Sequence, residues 1–133
     1  MLRPTALDHV GLKVSDMDRT LHFYHQVLGL ELLRTSGPNA DGGRSAVVKV
    51  GGQELNVFSR PDFVSVANDN AVGMDHFCLN MDAASIDDVM ADLRQAGVDI
   101  FRGPVERRDG ISVFVYDPDG VHVELRVTKD PTA

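Results

Sequence analysis

Apolar and polar residues alternate along residues 7–14 and again along residues 74–81, and this period of two predicts a β-strand at each place. After each strand, apolar residues recur at helical spacing, and Gly29 and Gly97 then supply left-handed helix ends. Three shorter strand candidates follow each helix: 30–35, 44–50 and 53–58, then 98–102, 111–116 and 121–127. The pattern therefore predicts a βαβββ module that occurs twice.

The two halves of the chain are also similar in sequence. Residues 7–12 (LDHVGL) align with residues 74–79 (MDHFCL) at an offset of 67. Two further pairs of segments align at an offset of 68: 29–34 with 97–102, and 52–57 with 120–125. Because self-similarity of this kind marks a repeated structural unit, the chain is interpreted as a duplication.

This repeat predicts the organisation of the chain. We expect one domain over residues 1–133, with a first module at about 5–58, a polar linker at about 59–72 and a second module at about 73–127. The predicted fold class is α+β, in which two tandem βαβββ modules form curved mixed sheets around a metal-containing trough.

The predicted helices carry few candidates for chemistry. Ser15 and Ser85 are the expected N-caps, and each is followed three residues later by an aspartate, as in a capping box. The apolar stripes of both helices are interpreted as core. His22 and His25 lie on the polar side of the first helix, and we interpret them as solvated.

Strand alternation gives each strand an apolar row and an opposite, polar row. His9 and His76 begin the polar rows of the two matching strands, and Glu124 lies on the polar row of the last strand. Two imidazoles and a carboxylate are the ligands of many catalytic transition-metal sites. The repeat aligns Asn56 with Glu124, so Asn56 is a candidate fourth ligand, and Glu54 on the same face is the other candidate.

Composition narrows the possible functions of this chain. Its 133 residues are 43% hydrophobic and 25% charged, as in soluble globular domains. The formal net charge of −7 argues against a nucleic-acid partner. No apolar run approaches the roughly 20 residues that span a bilayer, and the N-terminus does not resemble a secretory signal, so we expect a cytoplasmic protein without a membrane partner. The single cysteine, Cys78, excludes an internal disulfide framework and is expected to be a small core residue.

Several basic residues have two possible roles. Lys13 and Arg126 are interpreted either as solvated strand ends or as a rim that binds an anionic group. Residues 107–109 (RRD) are expected to form an exposed loop, with a lid over the pocket as the alternative.

Four segments together resemble the vicinal oxygen chelate superfamily, which includes glyoxalase I, extradiol dioxygenases, fosfomycin and bleomycin resistance proteins and methylmalonyl-CoA epimerase. The segments are LDHV (7–10), FYHQVLGLEL (23–32), MDHF (74–77) and YDPDGVHVEL (116–125). The chain looks closest to small glyoxalase-domain proteins whose reaction is not assigned. The resemblance implies paired βαβββ modules, a divalent metal held by His9, His76 and Glu124, and a homodimer. In several members the site is completed across the dimer interface.

Each named activity of the superfamily lacks one part here. Glyoxalase I has a carboxylate at the position of Asn56, where it helps to move the substrate proton, so that this role passes to Glu54 or His122 or is absent. Extradiol dioxygenases carry a catalytic tyrosine ten residues before the final glutamate ligand. That position is Phe114 here, and Tyr116 lies on the same strand face two residues later.

We expect a metalloenzyme in which two neighbouring oxygens of a small-molecule substrate chelate a divalent ion (Fe, Mn, Ni, Co or Zn), and this ion acts as a Lewis acid. A glyoxalase-like lyase or isomerase is favoured, and an Fe(II)-dependent extradiol-type dioxygenase is the alternative within this class. A metal-free protein that sequesters a ligand, as bleomycin resistance proteins do, is the second class. The candidate catalytic residues are Glu54, His122 and Tyr116, and the choice of general base, metal and substrate stays open.

Overall fold

The computed structural model describes residues 1–64, 70 and 72–129, and the chain divides into two compact units, Met1–Val66 and Ala67–Ala133. The first unit contains β1 (His9–Val14), α1 (Met17–Leu21), a π-helical segment (His22–Val27), β2 (Glu31–Ser36), β3 (Arg44–Val50) and β4 (Gln53–Ser59). The second unit contains β5 (Phe77–Asn80), α2 (Ile86–Gln95), β6 (Ile100–Arg107), β7 (Gly110–Tyr116) and β8 (His122–Thr128). None of the helices within the described ranges has the length and apolar character needed to cross a membrane.

Each unit builds a four-stranded mixed sheet with the same strand order, β1-β4-β3-β2 in the first and β5-β8-β7-β6 in the second. The first strand of each unit pairs in parallel with the last, and the other neighbours pair antiparallel. The predicted α+β fold with two βαβββ modules is therefore confirmed. The single domain and its boundaries stay predictions. Ser59, expected to begin the linker, ends β4, and linker positions 65–69 and 71 lie outside the described residues.

One face of each sheet is buried and apolar, as the alternation predicts. In β1, Leu12 and Val14 are buried, whereas Lys13 between them is exposed. In the second unit, Val113 and Leu125 are fully buried, and α2 turns its buried residues, Ile86, Val89 and Leu93, inward. The opposite face of each sheet is therefore left to the polar rows, in which the candidate site residues lie.

The first helix differs from the prediction in its start and in its geometry. Its N-cap is Asp16, whose Oδ1 accepts a hydrogen bond from the Arg19 amide at 3.1 Å, so the capping box predicted at Ser15 is wrong by one residue. The wider π-helical turns after α1 bury two adjacent rings, Phe23 and Tyr24, which meet edge to face at 4.9 Å. In the second unit Ser85 caps α2 as predicted, accepting from the Asp88 amide at 3.3 Å.

Two strands of the second unit differ in length from their predicted ranges. The strand predicted over 74–81 is reduced to β5, because pairing with β8 begins only at Phe77. The strand predicted over 98–102 extends to Arg107, because its second half pairs with the start of β7 across a tight turn. Irregular register on both sides of Arg102 hides this strand from a search for strict alternation.

Cys78 is exposed, so the prediction that it is a core residue is wrong. Its position in β5 explains the error, because the buried residue of that strand is its neighbour Leu79. Cys78 therefore belongs to the polar row of β5.

Glycine is required at the end of α2 by backbone conformation alone. Gly97 has φ of 75°, and an added Cβ there would meet no atom within 4 Å. We expect Gly97→Ala to lower the free energy of unfolding by about 1 to 2 kcal/mol, the cost of a left-handed conformation for a residue with a Cβ. Urea unfolding followed by circular dichroism measures this change.

Gly52→Ala is the matched control, because Gly52 also has open space around its Cβ position but no positive φ. Equal unfolding free energies for the two variants would contradict this explanation of Gly97.

Candidate metal centre

Glu124 is a buried charged residue of the second unit. Its side chain is 8% exposed, and it lies on β8 between Phe114 of β7 and Cys78 of β5. The Ser112 hydroxyl donates to Oε2 at 2.6 Å, and His76 Nε2 lies 2.9 Å from Oε1. The carboxylate is therefore held at both oxygens by side chains from two other segments of the unit.

His76 is oriented by the aspartate that precedes it. Its Nδ1 lies 2.7 Å from Asp75 Oδ2, and this hydrogen bond lowers the pKa of Asp75. An ionised carboxylate only accepts, so Nδ1 donates to Asp75 and Nε2 donates to Glu124, and a bound metal would take the place of the Nε2 proton. Carboxylate–histidine pairs of this kind orient many metal-binding imidazoles.

Arg107 is a site residue that the sequence analysis missed. Its Nε lies 3.7 Å from Glu124 Oε2, and its guanidinium stands 5.4 Å from the centroid of the Phe114 ring. Nε is buried and has no hydrogen-bond partner among the described residues. The expectation of an exposed loop is therefore wrong for Arg107, whereas Arg108 and Asp109 form the exposed turn. The available signal was the turn itself, which pairs Arg107 with Gly110 in a hairpin.

The surroundings of Glu124 favour its ionised form. Burial alone would raise the pKa of this carboxyl group. The Ser112 hydrogen bond, the charge of Arg107 and the contact with His76 outweigh burial, and the pKa of Glu124 is lowered. The group is therefore a carboxylate at neutral pH and has the charge that a metal ligand requires.

The thiol of Cys78, which lies beside Glu124, does not bind a metal while it is protonated. Partial burial of the sulfur and the negative charge of Glu124 raise the pKa of Cys78 to about 11. Since the thiolate is the form that binds metals, the donors of this face at neutral pH are the imidazole and the carboxylate.

The first unit repeats part of this arrangement. His9 Nδ1 lies 2.8 Å from Asp8 Oδ2, as His76 does from Asp75. Asn56 lies opposite Gly11 in the β1–β4 pairing, and its Oδ1 is buried without a hydrogen-bond partner among the described residues. The first unit thus has an oriented imidazole and an amide oxygen that lacks a donor.

The candidate catalytic residues are engaged with neighbours within their own units. Glu54 lies opposite His9 and forms an ion pair of 3.7 Å with Arg34. Tyr116 stacks on Phe101 with ring centroids 4.0 Å apart, and His122 meets the edge of Tyr116 at 5.0 Å. His122 is one step along the polar row of β8 from Glu124.

The remaining predicted residues have structural partners. Arg126 donates to Asn80 Oδ1 and to Asp109 Oδ1. His22 is exposed, as expected, with Nδ1 2.7 Å from Gln26 Oε1. His25 is half-buried and its Nδ1 lies 2.6 Å from the Leu30 carbonyl oxygen, which makes it a structural residue at the end of the π-helical segment.

The side chains of the two polar faces are of the chemical types that bind a divalent transition metal. Imidazole nitrogen and carboxylate or amide oxygen suit Mn, Fe, Co, Ni and Zn, and the partnerless Asn56 oxygen is the kind of atom that a bound ion would satisfy. No group of three or more His, Cys, Asp or Glu side chains in the described part of the chain is arranged to hold a metal ion. The predicted set of His9, Asn56, His76 and Glu124 therefore stays a prediction.

The fold and the histidine–carboxylate pair define a two-module domain of the vicinal oxygen chelate type. Residues 6–125 match the profile of the Glyoxalase/Bleomycin resistance protein/Dioxygenase superfamily, and the chain belongs to this superfamily.

Named relatives fit this assignment. The chain is 34% identical over 128 residues to lactoylglutathione lyase of Salmonella typhimurium, covering 92% of both chains. It is 32% identical to virulence protein STM3117 of the same organism over 90% of this chain and 81% of that one. A glyoxalase family protein from Enterococcus faecalis has a similar structure, with a TM-score of 0.76 and 27% identity over 91% of this chain and 96% of that one.

Removal of the Arg107 charge tests the electrostatics of this site. We expect Arg107→Met to raise the pKa of Glu124, because the effect of burial is then opposed only by Ser112 and His76. A carboxyl group whose folded-state pKa lies below its usual 4.5 stabilises the fold above that pH, and the contribution is lost as the pH falls through the lowered value. The loss should begin at higher pH in the variant, which ¹³C NMR titration of Glu124 and acid unfolding both measure.

Arg108→Met is the matched control, because it removes the same charge from the adjacent exposed turn. A Glu124 titration that moves equally in both variants would show that net charge, rather than the 3.7 Å contact, sets its pKa.

Proposed function

We propose that this chain is a divalent-metal-dependent enzyme, a glyoxalase-like lyase or isomerase, whose small substrate binds through two neighbouring oxygens. The observation that carries the proposal is the contact between His76 and Glu124, with the outer atoms of both held by Asp75 and Ser112. The relatives named lactoylglutathione lyase support the lyase class.

We propose His9, His76, Glu124 and Asn56 as the metal ligands. Asp8 and Asp75 hold Nδ1 of the two histidines, so that Nε2 of each histidine is the nitrogen that would bind the metal. Ser112 holds Oε2 of Glu124, and Oε1, which contacts His76 in the metal-free protein, would be the oxygen that binds the ion. When bound, the metal supplies Lewis acidity that polarises the two substrate oxygens and acidifies the adjacent C–H bond.

Removal of that proton requires a base from the chain. Asn56 does not serve, because an amide does not accept a proton at neutral pH. Glu54 lies two residues before it on the same row and forms an ion pair of 3.7 Å with Arg34. His122 is the other candidate, beside Glu124 on β8. The role of Tyr116 in an extradiol-type reaction stays a prediction, as do the homodimer and the cytoplasmic location.

Metal analysis of the untagged protein tests the ligands. We expect about one divalent ion per chain, as a single catalytic site requires. The ion should be lost in His76→Ala, which removes a ligand, and bound more weakly in Glu124→Gln, in which a neutral amide oxygen replaces the carboxylate. Mass spectrometry of the metal and circular dichroism of the fold are the two measurements.

His22→Ala is the control, because this exposed histidine lies on the helix surface, where its Nδ1 is 2.7 Å from Oε1 of Gln26. Full metal content in His76→Ala, with an intact fold, would exclude His76 as a ligand, whereas absence of metal from the wild-type protein would favour a ligand-sequestering protein instead.

The general base is tested by exchange of substrate hydrogen with D₂O. A panel of compounds with vicinal oxygens, including lactoylglutathione and aryl 2-hydroxyketones, is followed by NMR with the metal-loaded enzyme. We expect Glu54→Gln or His122→Gln to slow exchange about 100-fold or more, the usual contribution of a general base. Metal content should be unchanged in that variant.

Gln26→Ala provides a comparison on the exposed helix surface. Exchange at the wild-type rate in both Glu54→Gln and His122→Gln would exclude these residues as bases.

A further inference from the structure

The first unit contains a cavity of about 410 Å³ at the end of β1 and β4, opposite to the end that carries His9 and Glu54. Small-molecule sites occupy roughly 300 to 1,000 Å³, so this cavity has the size of a small ligand group. Nothing in the assignment of metal ligands and bases uses it. Its walls include Lys13, Arg44, Phe58, Arg60 and Phe63.

The cavity begins beside the proposed ligand Asn56, at the next residue on the same face of β4. Phe58 follows Asn56 by two residues on the same row of β4, and its ring extends over β1. A Cβ built at Gly11, the direct partner of Asn56, would lie 3.6 Å from Phe58 Cε2. A substrate whose oxygens lie near Asn56 therefore has this cavity beside it for the rest of its structure.

Two phenyl rings give the cavity an apolar wall. Phe58 is 45% exposed although it is a large apolar side chain on a polar row. Phe63 contributes the second ring, and Lys13 and Arg60 stand 5.3 and 5.1 Å from its centroid. An exposed ring beside a cavity gains stability when an apolar ligand covers it.

One cation of the cavity has no carboxylate within ion-pair distance among the described residues. Arg44 pairs with Asp18 at 3.2 Å, and Arg60 pairs with Asp62 through two hydrogen bonds. Lys13 makes no ion pair within the part of the chain that the structure describes; its ammonium group stands 5.3 Å from the centroid of the Phe63 ring, and its charge contributes to lowering the pKa of Asp62.

The one carboxylate of the cavity wall is already engaged. Asp41 Oδ1 accepts a hydrogen bond from the Gly43 amide. This hydrogen bond leaves the negative charge of Asp41 in place, so the wall favours a ligand whose single negative charge reaches Lys13 over a ligand with more negative charge. A carboxylate has that charge at neutral pH, whereas a phosphate monoester carries about −1.5 to −2.

We propose that this cavity holds the part of the substrate beyond the chelated oxygens, an aryl-sized apolar group that ends in one carboxylate bound by Lys13. The proposal rests on the proposed function, because Asn56 marks the chelated end. It also implies selection against a peptide such as glutathione, whose two carboxylates and ammonium group have no matching set of unpaired partners here.

Binding of 3-phenylpropionate to the full chain without added metal tests the proposal, by calorimetry and amide chemical-shift changes. We expect shifts around Lys13, Phe58 and Phe63, and about tenfold weaker binding of the neutral 3-phenylpropanamide, because a hydrogen bond to a charged group is lost. Lys13→Met should weaken 3-phenylpropionate to the level of the amide. Phe58→Leu should weaken both compounds equally, since it reduces the apolar wall alone.

Lys49→Met is the matched control, because Lys49 lies on β3 of the same sheet, opposite Glu54 and away from the cavity. Equal weakening by Lys13→Met and Lys49→Met, equal binding of acid and amide, or tighter binding of glutathione than of 3-phenylpropionate would each overturn the proposal. The measurement needs no metal, so its failure is distinguishable from failure of the metal content that tests the proposed function.

Discussion

The buried carboxylate of Glu124 is the interaction on which the polar face of the second unit depends. An unpaired buried charge costs several kcal/mol, so this position requires compensating neighbours. They come from three other places: Ser112 on β7, Arg107 at the end of β6, and His76 just before β5. All four strands of the sheet must therefore be in register for the charge to be tolerated.

The two modules differ at this point although they share the same strand order. The second has a carboxylate with three partners, and the first has an amide whose oxygen has none among the described residues. Three buried side-chain atoms in the described ranges lack a hydrogen bond, on Thr20, Asn56 and Arg107. Two of these three lie on the polar faces. An unmet buried group costs about 1–3 kcal/mol, which a bound ion or ligand can recover. The free-energy cost of unsatisfied polar atoms thus falls mainly on the polar faces, where we propose that a metal and a substrate bind.

The sequence was sufficient to predict the fold and the proximity of His76 and Glu124 in the second unit, because both follow from the strict periodicity of the strands. His76 and Glu124 meet as the repeat and the strand rows imply. Arg107 was missed because it follows the bulged, Gly-Pro-containing part of β6, where alternation no longer assigns a side chain to a face. Cys78 was misassigned from its residue type, although its row already placed it opposite Leu79. Period and register thus predict which face a side chain takes, whereas contacts across a bulge require coordinates.

Net charge is a poor guide to the ligand of this chain. The protein carries −7 overall, yet Arg102 and Arg107 flank Phe114 at 4.9 and 5.4 Å, and Lys13 borders the cavity of the first unit. Exposed charges more than a Debye length away, about 8 Å at physiological ionic strength, are largely screened. The field at each polar face is therefore determined by the charged side chains close to it, these cations among them, rather than by the net charge. An anionic ligand is attracted at short range by a chain that repels it at long range, so that added salt should weaken the repulsion more than the contact.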